Sequence, residues 1–174
     1  MQHDAKRFSC AVLTMSDKGA RGERMDESGA MLQDILRKEG YQLRAYKMVP
    51  DQVEAITDAL IQWVDHDKID LILTTGGTGV SPTDVTPEAM LQVIEKDIPG
   101  MAEAMRAASL LKTPYAVLSR AKVGIRGRSL IINLPGSQKA ARENIAVLLP
   151  GLPHALDKIQ GGTSDCANLC DLTR

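Results

Sequence analysis

The chain has 174 residues, a net charge of -1 and a pI near 6.3, with 44% hydrophobic and only 3% aromatic residues. That balance exerts no global pull on nucleic acid or anionic membrane, and so few aromatics leave few platforms for stacking bases. No apolar run approaches the ~20 residues that span a bilayer, and the start Met1-Gln2-His3-Asp4-Ala5-Lys6-Arg7 lacks the apolar core of a signal peptide, so a cytoplasmic protein with no membrane and no nucleic-acid partner is expected.

Phe8 to Met15 is apolar and extended in character, a first strand. The polar stretch Ser16 to Glu27 reads as a loop. Ser28 then caps a helix carrying Met31, Leu32, Ile35 and Leu36 at helical spacing, and Gly40 ends it. Leu43 to Val49 is a second strand, broken by Pro50. Asp51 with Glu54 resembles a capping box ahead of a helix whose face is Val53, Ile56, Leu60, Ile61 and Val64. Asp70 to Thr75 is a third strand. Strand and helix alternate, which predicts a parallel sheet covered by helices on both sides.

Thr86 reads as the cap of the next helix, with Pro87 at its first position. Pro99-Gly100 separates it from a second helix, Met101 to Leu111. Thr113-Pro114 begins a short helical turn. Ala121 to Arg126 and Arg128 to Leu134 flank Gly127 as a tight hairpin, adding one antiparallel strand. Lys139 to Gln160 is a long amphipathic stretch that Pro150 and Pro153 must interrupt. The expected architecture is a three-layer α/β/α sandwich with a mostly parallel sheet. One domain over 1–174 is expected, with a globular core over about 8–160 and a polar tail from 161.

Cys10 falls inside a strand pattern and reads as a small core residue; Cys166 and Cys170 read as reduced thiols of the tail. His66 reads as a favourable charge at a helix end, His154, which no Ser or Cys nucleophile pattern accompanies, reads as structural, and His3 lies in a tail. The informative stretch is Leu71 to Glu88: an apolar segment, then Thr74-Thr75-Gly76-Gly77-Thr78-Gly79, then Asp84 and Thr86-Pro87-Glu88. A strand, a glycine loop and a helix start together make a phosphate cradle, because backbone N–H groups can approach the anion. The loop is no Walker A motif, since Val80-Ser81 follow Gly79. It is no dinucleotide fingerprint either, since Pro82 stands where glycine or alanine is needed. A plain tight turn needing positive φ remains the other reading. Asp17, Asp51 and Asp84 follow the first, second and third strands, so they face one sheet edge. Acids there suit Mg²⁺ beside a phosphate, although Asp51 as a helix cap and Asp84 as a turn residue are alternatives. Arg120, Arg126 and Arg128 form a basic group that could meet phosphate or simply be solvated.

Beyond the central loop, the blocks Leu13-Thr14-Met15-Ser16-Asp17, Asp26-Glu27-Ser28-Gly29, Val49-Pro50-Asp51, Thr113 to Arg120 and Asn133-Leu134-Pro135-Gly136-Ser137 occur in order. With them the chain resembles the molybdopterin adenylyltransferases of molybdenum cofactor biosynthesis and the corresponding domains of gephyrin and its plant counterpart, from about Phe8 to Gly161. The resemblance implies the molybdopterin-binding fold and transfer of AMP from Mg-ATP to the molybdopterin phosphate. By resemblance, Asp51 and Asp84 are catalytic and bind Mg²⁺, and Thr75, Gly76, Gly77, Thr78 and Gly79 hold nucleotide phosphates. Ser16, Asp17, Asp26, Ser28, Pro135, Gly136 and Ser137 line the substrate pocket. A homotrimer that hands its product to a molybdenum-inserting transferase is also implied. The chain departs from many relatives at Ala30 and Gln138, where proline is common, and at Thr83, where arginine often precedes the acid. The rival expectation is a molybdopterin carrier or scaffold of the same fold without turnover; both acids being present argues against it.

Overall fold

The structure, a computed structural model, describes residues 8–163. His3, Cys166 and Cys170 lie outside the described residues, as does most of the expected tail. Among the described residues, six strands form one sheet in the order β2-β1-β3-β6-β5-β4. They are β1 (Ser9–Met15), β2 (Gln42–Val49), β3 (Leu71–Thr75), β4 (Lys96–Asp97), β5 (Val123–Arg126) and β6 (Ser129–Leu134). β1 is parallel to both β2 and β3, and β3 is parallel to β6. β5 returns antiparallel to β6 through the Gly127-Arg128 turn, with Gly127 at φ 55°, and β4 pairs antiparallel with β5.

Side chains alternate between the two faces of the sheet, and each face is covered. Cys10, Val12, Leu71, Leu73, Leu130 and Ile132 pack against α2 (Glu27–Lys38), α5 (Pro99–Leu110), α6 (Gln138–Leu148) and α7 (Leu152–Ile159). Ala11, Leu13, Ile72 and Ile131 pack against α3 (Val53–Ile61) and α4 (Thr86–Val93). β3 is buried along its whole length, which is why its sequence reads as an unbroken apolar run into Thr74-Thr75. The three-layer expectation therefore holds. Cys10 is fully buried, and burial pushes its thiol up to about 12, as fits a core residue. No helix among the described residues is long and apolar enough to cross a membrane.

The helix starts differ from expectation for local reasons. A short helix, α1 (Asp17–Ala20), stands in the expected loop because the Ser16 hydroxyl accepts the Gly19 N–H. Asp26, not Ser28, caps α2, and its carboxylate accepts the Gly29 N–H at 2.8 Å. Asp51 does not cap α3; Gln52 occupies the cap without a side-chain bond, because the Asp51 carboxylate is engaged elsewhere. Thr86 is inside α4, Val85 being the cap, and its buried hydroxyl finds no partner among the described residues. Pro99 opens α5 rather than merely preceding it, its missing N–H being one the first turn would leave unpaired anyway. Pro150 interrupts the last helical stretch with a 3₁₀ turn, Leu149–Gly151, whereas Pro153 lies in the first turn of α7. The two-residue edge strand β4 has no sequence signal of its own; pairing with β5 creates it.

Candidate active site

Parallel strands deliver their carboxyl ends to one edge, so the segments after Met15, Val49, Thr75 and Leu134 meet there. Backbone bonds stitch the edge: Ser16 N–H donates to the Val49 carbonyl at 3.0 Å and Gly76 N–H to the Leu134 carbonyl at 3.1 Å. The Thr75 hydroxyl donates to the Pro135 carbonyl at 2.7 Å, and the Ser28 hydroxyl to the Gly136 carbonyl at 2.8 Å. These bonds lock the Pro135-Gly136-Ser137 loop against the glycine loop. Ser137 caps α6 by accepting the Ala140 N–H.

A cleft of ≈ 370 Å³ opens at this edge. Of the expected residues, Ser16, Asp26, Ser28, Asp51, Thr75, Gly76, Gly77, Asp84, Gly136 and Ser137 line it together. Asp17 does not line it but holds Asp51: each backbone N–H donates to the other's carboxylate, both at 3.0 Å. Thr78, Gly79 and Pro135 line a neighbouring hollow on the other side of the two loops, with Tyr115 and Asn144. Gly76 and Gly77 therefore present their backbone to the cleft, while Thr78 and Gly79 carry the chain away from it. The Asp26 carboxylate accepts from the Thr14 hydroxyl, the Tyr46 hydroxyl and the Gly29 N–H, so it is held rigidly in place.

Asp84 accepts the Ser81 N–H at 2.8 Å, which closes the turn between the glycine loop and α4. Arg120 grips this turn from outside. Its Nε donates to the Gly79 carbonyl at 2.7 Å, a terminal nitrogen to the Asp84 carbonyl at 2.5 Å, and its fork pairs with Glu88. Its own N–H donates to the Thr78 carbonyl at 2.8 Å. Arg126 binds Asp65 through both carboxylate oxygens and the Val93 carbonyl, and Arg128 donates to the Gln160 carbonyl. None of these arginines lines the cleft. The basic group seen in sequence thus braces the scaffold rather than facing an anion. The lining residues that sequence reasoning did not assign to the site include Thr14, Met15, Gly19, Arg24, Met25 and Met48, and Arg24 is the single cation among the described residues that line the cleft.

Burial pushes the Asp51 carboxyl above its ordinary range; the hydrogen bond from Asp17 N–H opposes this, and the charges of Asp17 and Asp84 add to the rise. Three acids thus share a region short of positive charge. Among the described residues no three His, Cys, Asp or Glu side chains form a ready metal cage. The pair Asp51 and Asp84 still fits a hard cation that takes its other ligands from phosphate and water, as Mg²⁺ does.

The raised Asp51 value has a stability consequence. The folded protein binds this proton more tightly than the unfolded chain. Its contribution is therefore present at low pH and lost as pH rises through the carboxylate range into the folded value. At neutral pH the ionised group is a liability. Asp51→Asn keeps an acceptor for the Asp17 N–H and removes the charge. Without divalent cation, it is expected to raise the melting temperature by roughly 1–3 °C at pH 7, and the gain should fade below about pH 4. Calorimetry at the two pH values checks this; a lower melting temperature at pH 7 would sink the idea.

Known proteins resemble this chain along most of its length. Residues 11–154 match the family described as "Probable molybdopterin binding domain". Molybdopterin adenylyltransferase of Helicobacter pylori is 42% identical over 154 residues, covering 86% of this chain and 86% of that protein. Gephyrin of Dictyostelium discoideum is 45% identical over 158 residues, but the chain spans only 22% of gephyrin's length. The crystal structure of the molybdopterin biosynthesis enzyme MoaB from Thermus thermophilus superposes with a TM-score of 0.84 at 48% identity, covering 88% of this chain and 97% of that one. A match along nearly the whole described fold leaves one conclusion: the chain belongs to the molybdopterin-binding domain family.

Proposed function

We propose that the chain is a cytoplasmic, Mg²⁺-dependent molybdopterin adenylyltransferase that moves AMP from ATP to the terminal phosphate of molybdopterin. The observation that carries this reading is that Asp51 and Asp84 line one cleft together with Gly76 and Gly77, near enough for the Asp84 charge to raise the Asp51 carboxyl. Among the described residues no histidine or cysteine lines the cleft. The reaction needs none, because the acceptor supplies its own nucleophile. A phosphate oxygen of molybdopterin forms a bond to the α-phosphorus of ATP. The bond from that phosphorus to the bridging oxygen breaks, and pyrophosphate leaves with the electron pair.

Asp51 and Asp84 would hold Mg²⁺, which when bound neutralises phosphate charge and stabilises the departing pyrophosphate. The protein's own part is positioning. Asp17 fixes Asp51, and the Ser81 N–H with Arg120 fixes the turn bearing Asp84. Gly76 and Gly77 bring peptide groups close enough to meet phosphate oxygens, and Ser16, Ser28 and Ser137 furnish hydroxyls around the acceptor. The cleft opens past Met25, Asp26, Glu27 and Gln138 into a second hollow of ≈ 500 Å³ between α2 and α6, which leaves room for two substrates.

Incubating the protein with molybdopterin, ATP and Mg²⁺ tests the reading by pyrophosphate release. Release that depends on molybdopterin supports it. Binding of both substrates without release would instead favour a carrier. We further propose a homotrimer whose product passes to a molybdenum-inserting transferase. Exposed Leu111, Tyr115 and Val117 at the end of α5 and the following turn support a subunit contact. Sedimentation of the intact chain decides the stoichiometry, and a monomer at working concentration would refute it.

A further inference from the structure

The cleft presents a charge problem. Its lining includes the carboxylates Asp26, Glu27, Asp51 and Asp84 against one guanidinium, that of Arg24. Phosphate groups entering such a cleft meet repulsion that a bound cation relieves only where Asp51 and Asp84 face each other. A second fixed positive charge is needed for phosphate oxygens pointing elsewhere. Arg120 and Arg126 cannot supply it, because their guanidinium groups are bound to Gly79, Asp84 and Glu88 and to Asp65 and Val93.

Arg24 is differently placed. It is exposed, and it makes no hydrogen bond or ion pair with the described residues, whereas its neighbour Arg21 is paired with Glu23. The loop that carries it is nonetheless anchored on both sides. The Glu23 N–H donates to the Lys18 carbonyl at 2.9 Å, and Asp26 is tied to Thr14, Tyr46 and Gly29. The loop thus holds an unspent planar donor fork at the cleft. Guanidinium suits this task, since its parallel N–H groups meet two phosphate oxygens at once.

We infer that Arg24 binds an anionic phosphate group of the substrates in this cleft. The inference rests on the proposed AMP transfer for the identity of those substrates. The phosphate belongs either to the pyrophosphate end of the nucleotide or to the phosphate monoester of molybdopterin, and the two are separable.

The test is calorimetric titration of the full-length chain with inorganic pyrophosphate plus Mg²⁺, and separately with molybdopterin. Arg24→Ala is expected to weaken one of the two by about 10- to 100-fold, the scale of a charge-assisted pair. Loss for pyrophosphate assigns Arg24 to the nucleotide's leaving group; loss for molybdopterin assigns it to the acceptor. Arg24→Lys is expected to lose only about threefold to tenfold, keeping the charge but not the fork. Arg21→Ala, which alters charge on the same loop outside the cleft, should bind both probes like the wild type. Thr83→Arg added to Arg24→Ala returns a guanidinium to the cleft beside Asp84, and is expected to recover most of the lost affinity. Unchanged affinity for both probes in Arg24→Ala, or no binding of either by the wild type, overturns the inference. A wild type that binds both probes but releases no pyrophosphate from ATP faults the transferase reading alone.

Discussion

Asp84→Asn is expected to lower AMP transfer by about 10³-fold or more while the protein stays folded. The substitution changes almost nothing in shape. Asp84 accepts the Ser81 N–H through one oxygen, and an asparagine carbonyl oxygen can accept the same bond. What disappears is a full negative charge facing Asp51, one of the groups that raises the Asp51 carboxyl. On the proposed AMP transfer, removing half of the carboxylate pair would deprive a divalent cation of a ligand where the charge of the departing pyrophosphate would develop. A thousandfold fall corresponds to about 4 kcal/mol of transition-state stabilisation, a reasonable share for one such ligand. The measurements are pyrophosphate release, molybdopterin affinity and melting temperature. Affinity within about threefold and melting within about 2 °C are expected beside the lost turnover. Normal turnover would show that Asp84 is only a turn residue.

The second large effect is structural. Gly76→Ala is expected to cost roughly 3 kcal/mol or more and to lower the melting temperature by about 10 °C. Two strains act together. Gly76 has φ 108°, a backbone conformation that residues with a Cβ rarely adopt. A Cβ there would also stand 2.6 Å from the Met15 carbonyl oxygen, which is backbone and has no rotamer to yield. Gly40→Ala separates the two contributions. Gly40 has a positive φ of 84°, but nothing lies within 4 Å of an added Cβ. It should cost only about 1 kcal/mol. Equal losses for the two variants would mean that the close approach of the glycine loop to β1 contributes nothing. The closeness also keeps the Gly76 and Gly77 peptides in the lining of the cleft.

Much of the fold was legible because local signals and the global arrangement agree. Alternating strand and helix patterns, Gly40 at a helix end and Gly127 in the hairpin each depend on neighbours a few residues away. The misread positions share a cause. Ser28, Asp51 and Thr86 each look like helix caps from their local context. Each is redirected by a partner far along the chain or by burial: Ser28 donates to Gly136, Asp51 accepts from Asp17, and Thr86 is enclosed beneath Gly77. A short polar side chain has several nearly equal local options, so a distant partner worth about 1 kcal/mol decides among them.

The candidate site divides the same way. The order of strands placed Asp17, Asp51 and Asp84 at one sheet edge, and the glycines announced a close backbone approach, so the sequence by itself determined which acids and which glycine loop would meet at one edge. The arginines were beyond its reach. Arg24, Arg120 and Arg126 are alike as residues in a sequence: long, flexible and charged, with nothing beside them in the chain that fixes a partner. Only the tertiary structure turned Arg120 and Arg126 into struts by bringing carbonyl and carboxylate oxygens from α4, the glycine loop and Asp65 within reach, and left Arg24 at the cleft with no partner among the described residues. A flexible cation goes wherever acceptors converge, and that convergence is created by packing across the sheet rather than by anything next to it in the chain.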